Sequence, residues 1–141
     1  PGQVTVSGLS AQMPALAAAV KAAGGRAIPL QVKGGFHSPF MAQAARDFEQ
    51  ELRKANIGAG AVPLYANRTG RPYTDDVVGL LSGQICSPVR WEEAIPNMIA
   101  DGADDFIEIG PGRTLTNMIK KIDPAVKART VFEYLEDRKS C

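Results

Sequence analysis

Apolar and polar residues alternate near the start of the chain in two short stretches, residues 3–8 and 26–32. An alternation with a period of two is typical of strands. Between them, residues 11–23 are rich in alanine, with larger apolar side chains at helical spacing, which predicts a helix that Ser10 would cap and the following glycine pair would end. The order strand, helix, strand is that of an α/β unit, so the chain is predicted to belong to the α/β class.

Helical spacing of apolar residues returns in four later segments. In the longest of them, charged side chains occupy the positions between the apolar ones, as on the solvated face of a surface helix. Pro96 lies inside another and predicts a kink or a break, because proline lacks the amide hydrogen that a helix uses. The predicted helices comprise residues 38–55, 75–81, 91–100 and 115–122.

Three more short runs predict strands, at residues 62–66, 105–109 and 128–132, and residues 133–138 form a short helix or tail. The second run passes through Gly110-Pro111-Gly112 into a helix, and a strand followed by a glycine-rich turn and a helix N-terminus resembles an anion site. The turn matches neither a P-loop nor a dinucleotide fingerprint. We therefore expect a tight structural corner there rather than a phosphate site.

Composition limits the range of functions. At 141 residues the chain forms one domain at most, and its formal net charge of +1 gives no overall attraction to nucleic acid or to a membrane surface. No apolar run approaches the roughly 18 residues of a membrane span. The two cysteines, Cys86 and Cys141, lack the spacing of metal ligands, so we expect no metal site and a reducing compartment, the cytoplasm.

The chain begins with Pro1-Gly2, a turn dipeptide, directly before the first predicted strand. A turn at this position has no preceding strand to turn from. We therefore expect the chain to be the C-terminal part of a longer polypeptide.

The single histidine, His37, follows two glycines in a loop between a predicted strand and a predicted helix, and Pro39 suits the first turn of that helix. Catalytic side chains are often found on such loops, which a rigid scaffold positions. Imidazole also titrates near neutral pH, which suits general acid–base chemistry. The loop alone fits a surface or capping histidine equally well.

A histidine base in nucleophilic catalysis needs a hydroxyl or thiol to deprotonate. Ser38, Ser87 and Cys86 are the candidates, but Ser38 would have to fold back on its neighbour, and Cys86 fits a small buried apolar residue. The sequence has no Gly-x-Ser-x-Gly elbow. The residues thus suggest a base without its nucleophile.

Four motifs, in order and across nearly the whole chain, resemble the C-terminal half of the malonyl-CoA:acyl carrier protein transacylases, the acyltransferase family of fatty-acid and polyketide synthesis. Together they are far more specific than any one alone. They are Pro1-Gly2-Gln3-Val4, Phe36-His37-Ser38-Pro39 with Met41, Gln84 with Ser87-Pro88-Val89-Arg90-Trp91, and Glu108-Ile109-Gly110-Pro111-Gly112 with Leu115.

The resemblance implies an α/β-hydrolase-like core with an inserted ferredoxin-like subdomain. Residues 1–33 would be the last strand-helix-strand of that subdomain, and residues 34–141 the C-terminal part of the core. The implied reaction is ping-pong transfer of malonyl from coenzyme A, through a serine, to the phosphopantetheine thiol of acyl carrier protein, without a cofactor. The implied partners are the N-terminal half that carries the serine, the coenzyme A thioester and the carrier protein, with no nucleic acid and no membrane.

The resemblance also implies roles for five residues. His37 would be the base that activates the serine and the acid that protonates the leaving thiol, and Gln84 matches the position whose main-chain carbonyl orients it. Phe36 precedes the histidine in members that select malonyl, since its ring removes the room for an α-methyl group. Ser38 and Asn67 are the further candidates for substrate binding.

Rival interpretations remain at this point. A non-catalytic fragment that binds carrier protein or an acyl group would explain the missing nucleophile, and a synthase acyltransferase domain would share the motifs. A hydrolase of related fold would need the same upstream elbow. A nucleic-acid-binding or structural protein lacks a basic patch or aromatic platform to support it.

Overall fold

The computed structural model describes residues 2–58 and 60–139, which fall into two compact units. The helical unit comprises Val4–Ala59 and Asp75–Pro88, and the sheet unit comprises Pro1–Gln3, Gly60–Thr74 and Val89–Cys141. Helices together with a small parallel sheet confirm the predicted α/β class. The boundary after residue 33 stays a prediction, and so do the hydrolase-like and ferredoxin-like assignments. Pro1 and Cys141 lie outside the described residues.

The described residues of the helical unit form three α-helices, and each is extended by a short 3₁₀ turn. The helices α1, α2 and α3 comprise Met13–Ala22, Ala42–Leu52 and Val77–Gly83, with 3₁₀ turns at Ser10–Gln12, Pro39–Met41 and Gln84–Cys86. These helices confirm the periodicity of the sequence. The predicted cap of α1 by Ser10 was wrong, because Ser10 lies in the preceding 3₁₀ turn and Gln12 holds the cap position of α1 without a side-chain hydrogen bond.

A glycine pair ends α1 as predicted. Gly24 takes a left-handed backbone with φ of 79°, and its amide donates to the carbonyl of Lys21 at 3.0 Å. The amide of Gly25 donates to the carbonyl of Val20 at 2.9 Å. This is the Schellman arrangement, in which a residue without a Cβ lets the chain turn back on the last helical carbonyls.

The predicted strands at residues 3–8 and 26–32 were wrong, because the structure assigns no strand to the described residues of either stretch. A strand is stabilised by a hydrogen-bonded neighbour, and apolar side chains at these positions are instead exposed, Val4 at 85% and Ile28 at 63%. The predicted strand at 62–66 is reduced to an isolated antiparallel bridge between Tyr65 and Pro72.

The sheet unit is built on a parallel strand-helix-strand unit that packs against α4, Trp91–Ala100, which runs unbroken through Pro96. The strand β1, Asp105–Glu108, leads through α5, Thr114–Ile122, into β2, Lys127–Thr130. Asp105 lies opposite Lys127, and Glu108 opposite Thr130. The core contains Ile95, Ile119 and Ala128, with Trp91, Met98, Ile99, Phe106, Ile122 and Val126 packed against it.

The last helix, α6, comprises Val131–Lys139. It begins inside residues 128–132, for which the sequence predicts a strand. The carboxylate of Glu133 accepts from the amide of Thr130 at 2.8 Å, and the Thr130 hydroxyl accepts from the amide of Glu133 at 3.3 Å. This reciprocal pair is a capping box, which fixes a helix start. The predicted strand at 128–132 was therefore wrong in its last two residues.

The glycine-rich corner between β1 and α5 is closed by a carboxylate of the chain itself. Glu108 accepts from the amides of Leu115 at 3.1 Å and Thr116 at 2.9 Å, and from the Thr116 hydroxyl at 2.7 Å. These are amides that a bound anion would use at a helix N-terminus. The arrangement confirms the structural corner, since Glu108 already supplies the negative charge.

None of the helices in the described residues is both long and apolar enough to cross a membrane.

Substituting Ile95 tests the core of the sheet unit. Its side chain is 0% exposed, so Ile95→Ala removes buried methyl groups and leaves a cavity, and we expect a loss of about 2–5 kcal/mol in the free energy of unfolding. Ile109→Ala makes the same change at a residue that is 85% exposed, and we expect it to stay within about 0.5 kcal/mol of wild type. Urea unfolding measures both, and equal losses would contradict the assigned core.

Glu108 provides a pH-dependent test of the corner. The hydrogen bonds from Thr116, first the amide and then the hydroxyl, lower the pKa of Glu108. Its carboxylate therefore stabilises the fold fully above the ordinary glutamate pKa of about 4.3, and this contribution is lost as the pH falls through the lower pKa of the folded state. We expect Glu108→Gln to lower the urea midpoint at pH 7, with the difference from wild type shrinking below pH 4.

Glu51→Gln is the control for the charge change. Glu51 forms an ion pair with Lys54 in which both side chains are about two-thirds exposed, 68% and 70%, so its loss changes stability little. A constant difference between Glu108→Gln and wild type down to pH 3 would show that the carboxylate charge plays no part in the corner.

Candidate functional site

The loop that carries His37 has an unusual backbone. His37 has φ of 57°, and in the part of the chain that the structure describes it is the one residue other than glycine with a positive φ. A left-handed backbone costs a residue with a Cβ roughly 1–2 kcal/mol. Residues kept in such conformations cluster at functional sites, where the surrounding structure holds them.

Two main-chain carbonyls from the 3₁₀ turn that follows α3 hold the histidine. Its ring Nδ1 lies 3.0 Å from the carbonyl oxygen of Gln84, and its amide donates to the carbonyl of Ile85 at 3.2 Å. A carbonyl oxygen only accepts hydrogen bonds, so Nδ1 carries the proton and donates. The lone pair is then on Nε2, which makes Nε2 the nitrogen that can take a proton from another group.

The position of these carbonyls follows from the way α3 ends. The side chain of Asp76 caps its start by accepting from the amide of Gly79 at 3.0 Å. After Gly83 the chain tightens into a 3₁₀ turn, and Ser87-Pro88 prevents the helix from continuing. Within this turn the Gln84 carbonyl already accepts from the amide of Ser87 at 3.3 Å, and its second lone pair is available to an N–H donor such as the imidazole.

The side chain of Ser38 forms hydrogen bonds with the main chain of the same loop. Its side chain is buried, its hydroxyl donates to the carbonyl of Gly35, and it accepts from the amide of Phe40 at 3.4 Å as the cap of the turn Pro39–Met41. A Cβ on Gly35 would lie 2.9 Å from the Phe40 ring and 3.0 Å from the Ser38 hydroxyl. A side chain at position 35 would therefore crowd the Phe40 ring and the Ser38 hydroxyl.

The remaining predicted site residues are placed as follows. Phe36 is 50% exposed, and its carbonyl accepts from the hydroxyl of Ser7 at 3.2 Å. Asn67 belongs to the sheet unit, where its carbonyl accepts from the amide of Arg90 at 2.8 Å and its side chain is exposed. The roles of both in substrate binding stay predictions.

Sequence reasoning missed Ser7 and Ile85, which contact the loop from distant segments. Ser7 lies 29 positions before Phe36. A serine in an alternating stretch and a main-chain carbonyl give no signal in the sequence, because both contacts depend on how remote segments meet.

The arrangement provides a proton acceptor on an exposed loop. Among the nucleophile candidates, the Sγ of half-buried Cys86 lies 3.6 Å from the carbonyl of Gly83, and the amide of Ser87 donates to the carbonyl of Gln84 at 3.3 Å. The described residues bring together no group of three or more His, Cys, Asp or Glu side chains that could hold a metal ion.

No protein-family model matches the chain. A malonyl CoA-acyl carrier protein transacylase of Bacillus subtilis is 38% identical over 136 residues, which are 94% of this chain and 43% of that protein. The chain thus spans less than half the length of this curated relative.

Solved structures give the same result for the fold. A malonyl CoA-acyl carrier protein transacylase from Clostridium perfringens matches with a TM-score of 0.84 and 36% identity, over 91% of this chain and 42% of that one. A malonyl-transacylase solved in complex with a type II polyketide synthase acyl-carrier protein matches with a TM-score of 0.82 and 30% identity, over 86% and 40%. Over nearly its whole length, the chain is therefore homologous to malonyl-CoA:acyl carrier protein transacylases and shares their fold.

Proposed function

We propose that this chain supplies the general base of an acyltransferase that moves malonyl from coenzyme A to the phosphopantetheine thiol of acyl carrier protein. One observation carries the proposal: the Nδ1 of His37 lies 3.0 Å from the Gln84 carbonyl on an exposed loop, which leaves Nε2 ready to accept a proton. The activity of the similar transacylases supports this proposal, and the serine that attacks the substrate would come from outside this chain.

In the proposed first half-reaction, Nε2 of His37 takes the proton of the serine hydroxyl while the serine oxygen attacks the malonyl thioester. The tetrahedral intermediate collapses, the bond to sulfur breaks, and His37 returns the proton to the leaving coenzyme A thiolate. In the second half-reaction His37 takes the proton of the phosphopantetheine thiol while the sulfur attacks the malonyl-serine ester. The bond between the malonyl carbonyl carbon and the serine oxygen then breaks, and His37 gives the proton to that oxygen. A neutral carbonyl at Gln84 holds the tautomer, but it stabilises the imidazolium less than a carboxylate would.

Exposed apolar surface on each unit supports a partner polypeptide. In the sheet unit, Ile109 is 85% and Phe132 63% exposed, and in the helical unit Val4 is 85% and Leu30 60% exposed. Parallel sheets are normally covered on both faces and contain more than two strands. The matched relative is more than twice as long as this chain, and we propose that an N-terminal half of this kind, carrying the serine, covers these surfaces.

The same proposal includes the finer assignments. Residues 1–33 would complete a ferredoxin-like subdomain and residues 34–141 an α/β-hydrolase-like core, acting in the cytoplasm without a cofactor. Phe36 would select malonyl by excluding an α-methyl group, and Asn67 would contact the substrate.

Polyketide synthesis is the second candidate pathway. A neighbour of this fold was solved with a type II polyketide synthase acyl-carrier protein, so the acceptor would be a carrier protein of polyketide rather than of fatty-acid synthesis. The chemistry at His37 is the same in both. Comparing transfer rates to a fatty-acid and a polyketide carrier protein separates the two.

The role of His37 as the base is tested by substituting, one at a time, the two residues that its ring hydrogen bond joins, His37 and Gln84. With the N-terminal half supplied as a second polypeptide, we expect His37→Ala to lower kcat about 10²–10⁴-fold, because the proton acceptor is removed. Gln84→Ala should change kcat little, because the main-chain carbonyl remains. The measurement is transfer of labelled malonyl to acyl carrier protein.

Unchanged turnover in His37→Ala would leave a non-catalytic role in carrier-protein or acyl binding as the better interpretation. A large loss in Gln84→Ala would show that the amide side chain, rather than the carbonyl, holds the histidine.

Phe36 is tested by substrate choice. We expect Phe36→Ser to raise kcat/KM for methylmalonyl-CoA relative to malonyl-CoA about 10–200-fold, the usual value of one methyl group in a pocket. Phe40→Ser is the control, because Phe40 is a similarly exposed ring four residues away, 57% against 50%. An unchanged ratio in Phe36→Ser would contradict its role in selectivity.

A further inference from the structure

Ser38 stands apart from its neighbours in the histidine loop. It is 8% exposed, whereas Phe36 is 50% exposed and His37 is also exposed. A buried hydroxyl is stable only when it is hydrogen-bonded. Ser38 thus combines a buried hydroxyl with a position directly after His37, which is exposed and has a left-handed backbone.

The hydroxyl is already engaged with the main chain. It donates its one proton to the carbonyl of Gly35 and accepts from the amide of Phe40 at 3.4 Å. A serine hydroxyl has one donor and two acceptor lone pairs, so Ser38 has no proton left to donate to a substrate carbonyl. Donation of a hydrogen bond to a substrate would require it to release Gly35.

The hydrogen bond from the Ser38 hydroxyl to the Gly35 carbonyl spans Phe36 and His37. Gly35 and Ser38 are the first and last residues of a four-residue turn, and Phe36 and His37 are its central pair. Here the serine hydroxyl donates where a main-chain amide ordinarily closes a turn. A side chain at position 35 would also crowd the turn, since a Cβ there would lie 3.0 Å from the hydroxyl.

His37 takes its left-handed backbone at the centre of this turn, with φ of 57°. Its amide donates to Ile85 and its Nδ1 lies at the Gln84 carbonyl, and both contacts require the backbone to point these groups toward the 3₁₀ turn that follows α3. If the turn opens, His37 can relax to the favoured right-handed or extended region and its ring leaves the carbonyl.

We propose that Ser38 is a positioning residue for His37, whose hydroxyl closes the turn and so keeps the imidazole in the Nδ1–H tautomer. The catalytic meaning of this inference rests on the proposed function, but the geometry does not. It replaces substrate binding, which the resemblance implied for Ser38, with an effect exerted through the histidine.

The single histidine makes the test direct, because every imidazole signal of the chain belongs to His37. The chain is labelled with ¹⁵N-histidine, and the two ring nitrogen shifts are measured by NMR at a pH where the ring is neutral. We expect Nδ1–H in the wild type. In Ser38→Ala we expect the Nδ1–H population to fall toward the mixture shown by a free imidazole.

Ser82→Ala is the matched control. Ser82 is a buried serine of the same unit, 4% exposed, and its hydroxyl donates to the carbonyl of Val78 at 2.8 Å within α3. It loses a comparable hydrogen bond but leaves the turn intact, so we expect the wild-type tautomer. Ser38→Cys keeps the volume with a weaker donor and decides the question in the same way if Ser38→Ala does not fold.

A wild-type tautomer in the Ser38 variant overturns the proposal, and so does an equal shift in Ser82→Ala, which would indicate general loosening. Because the spectra are recorded without substrate, the result stands whether or not His37 is the catalytic base. In the assembled enzyme we expect Ser38→Ala to lower kcat about tenfold with KM unchanged, since the base is less often aligned. A raised KM with unchanged kcat would make Ser38 a substrate contact instead.

Discussion

The hydrogen bond from the Nδ1 of His37 to the carbonyl oxygen of Gln84 joins positions 47 residues apart. Every chemical property assigned to the site depends on it, because it decides which ring nitrogen keeps a lone pair. The bond in turn depends on two local structures. One is the 3₁₀ turn that follows α3 and presents the Gln84 and Ile85 carbonyls, and the other is the tight turn that gives His37 a positive φ. An acceptor from the main chain is rigid and neutral, so it fixes the orientation of the imidazole without adding a charge.

A carboxylate plays the corresponding organising part in the sheet unit. Glu108 stands at the end of β1 and accepts from the first turn of α5, so one side chain fixes the angle between strand and helix. Glu133 does the same at the start of α6, where it also accepts from Arg113 at 2.7 Å. Both carboxylates lie at helix N-termini, where the helix dipole favours negative charge. The glycine-rich turn that resembles an anion site in the sequence thus serves the fold itself.

The sequence predicted the helices well and several strands poorly, for a physical reason. A helix is stabilised mainly by hydrogen bonds within its own segment, so the spacing around α2 and α4 was sufficient to find them. A strand needs a partner, and residues 26–32 have the alternation without one among the described residues. The start of α6 had a local signal, the Thr130-x-x-Glu133 pattern, which periodicity alone overlooked. At the site, glycines and a lone histidine indicated the loop, but the contact of Ser7 with Phe36 could not be foreseen from either segment.

Neither unit is a continuous stretch of chain. The helical unit is completed only by Asp75–Pro88, which follows residues of the sheet unit, and the sheet unit is completed by Val89–Cys141. The hydrogen bonds from His37 to the Gln84 and Ile85 carbonyls therefore cannot form until the polypeptide has been synthesised past Ile85. By then residues 60–74 of the sheet unit have already been made. Bringing His37 and Gln84 together across 47 positions is slow compared with forming a helix, since chain entropy must be lost before their hydrogen bond forms. His37 is thus translated early but oriented late, and a ribosome stalled before residue 84 would hold a histidine with neither partner.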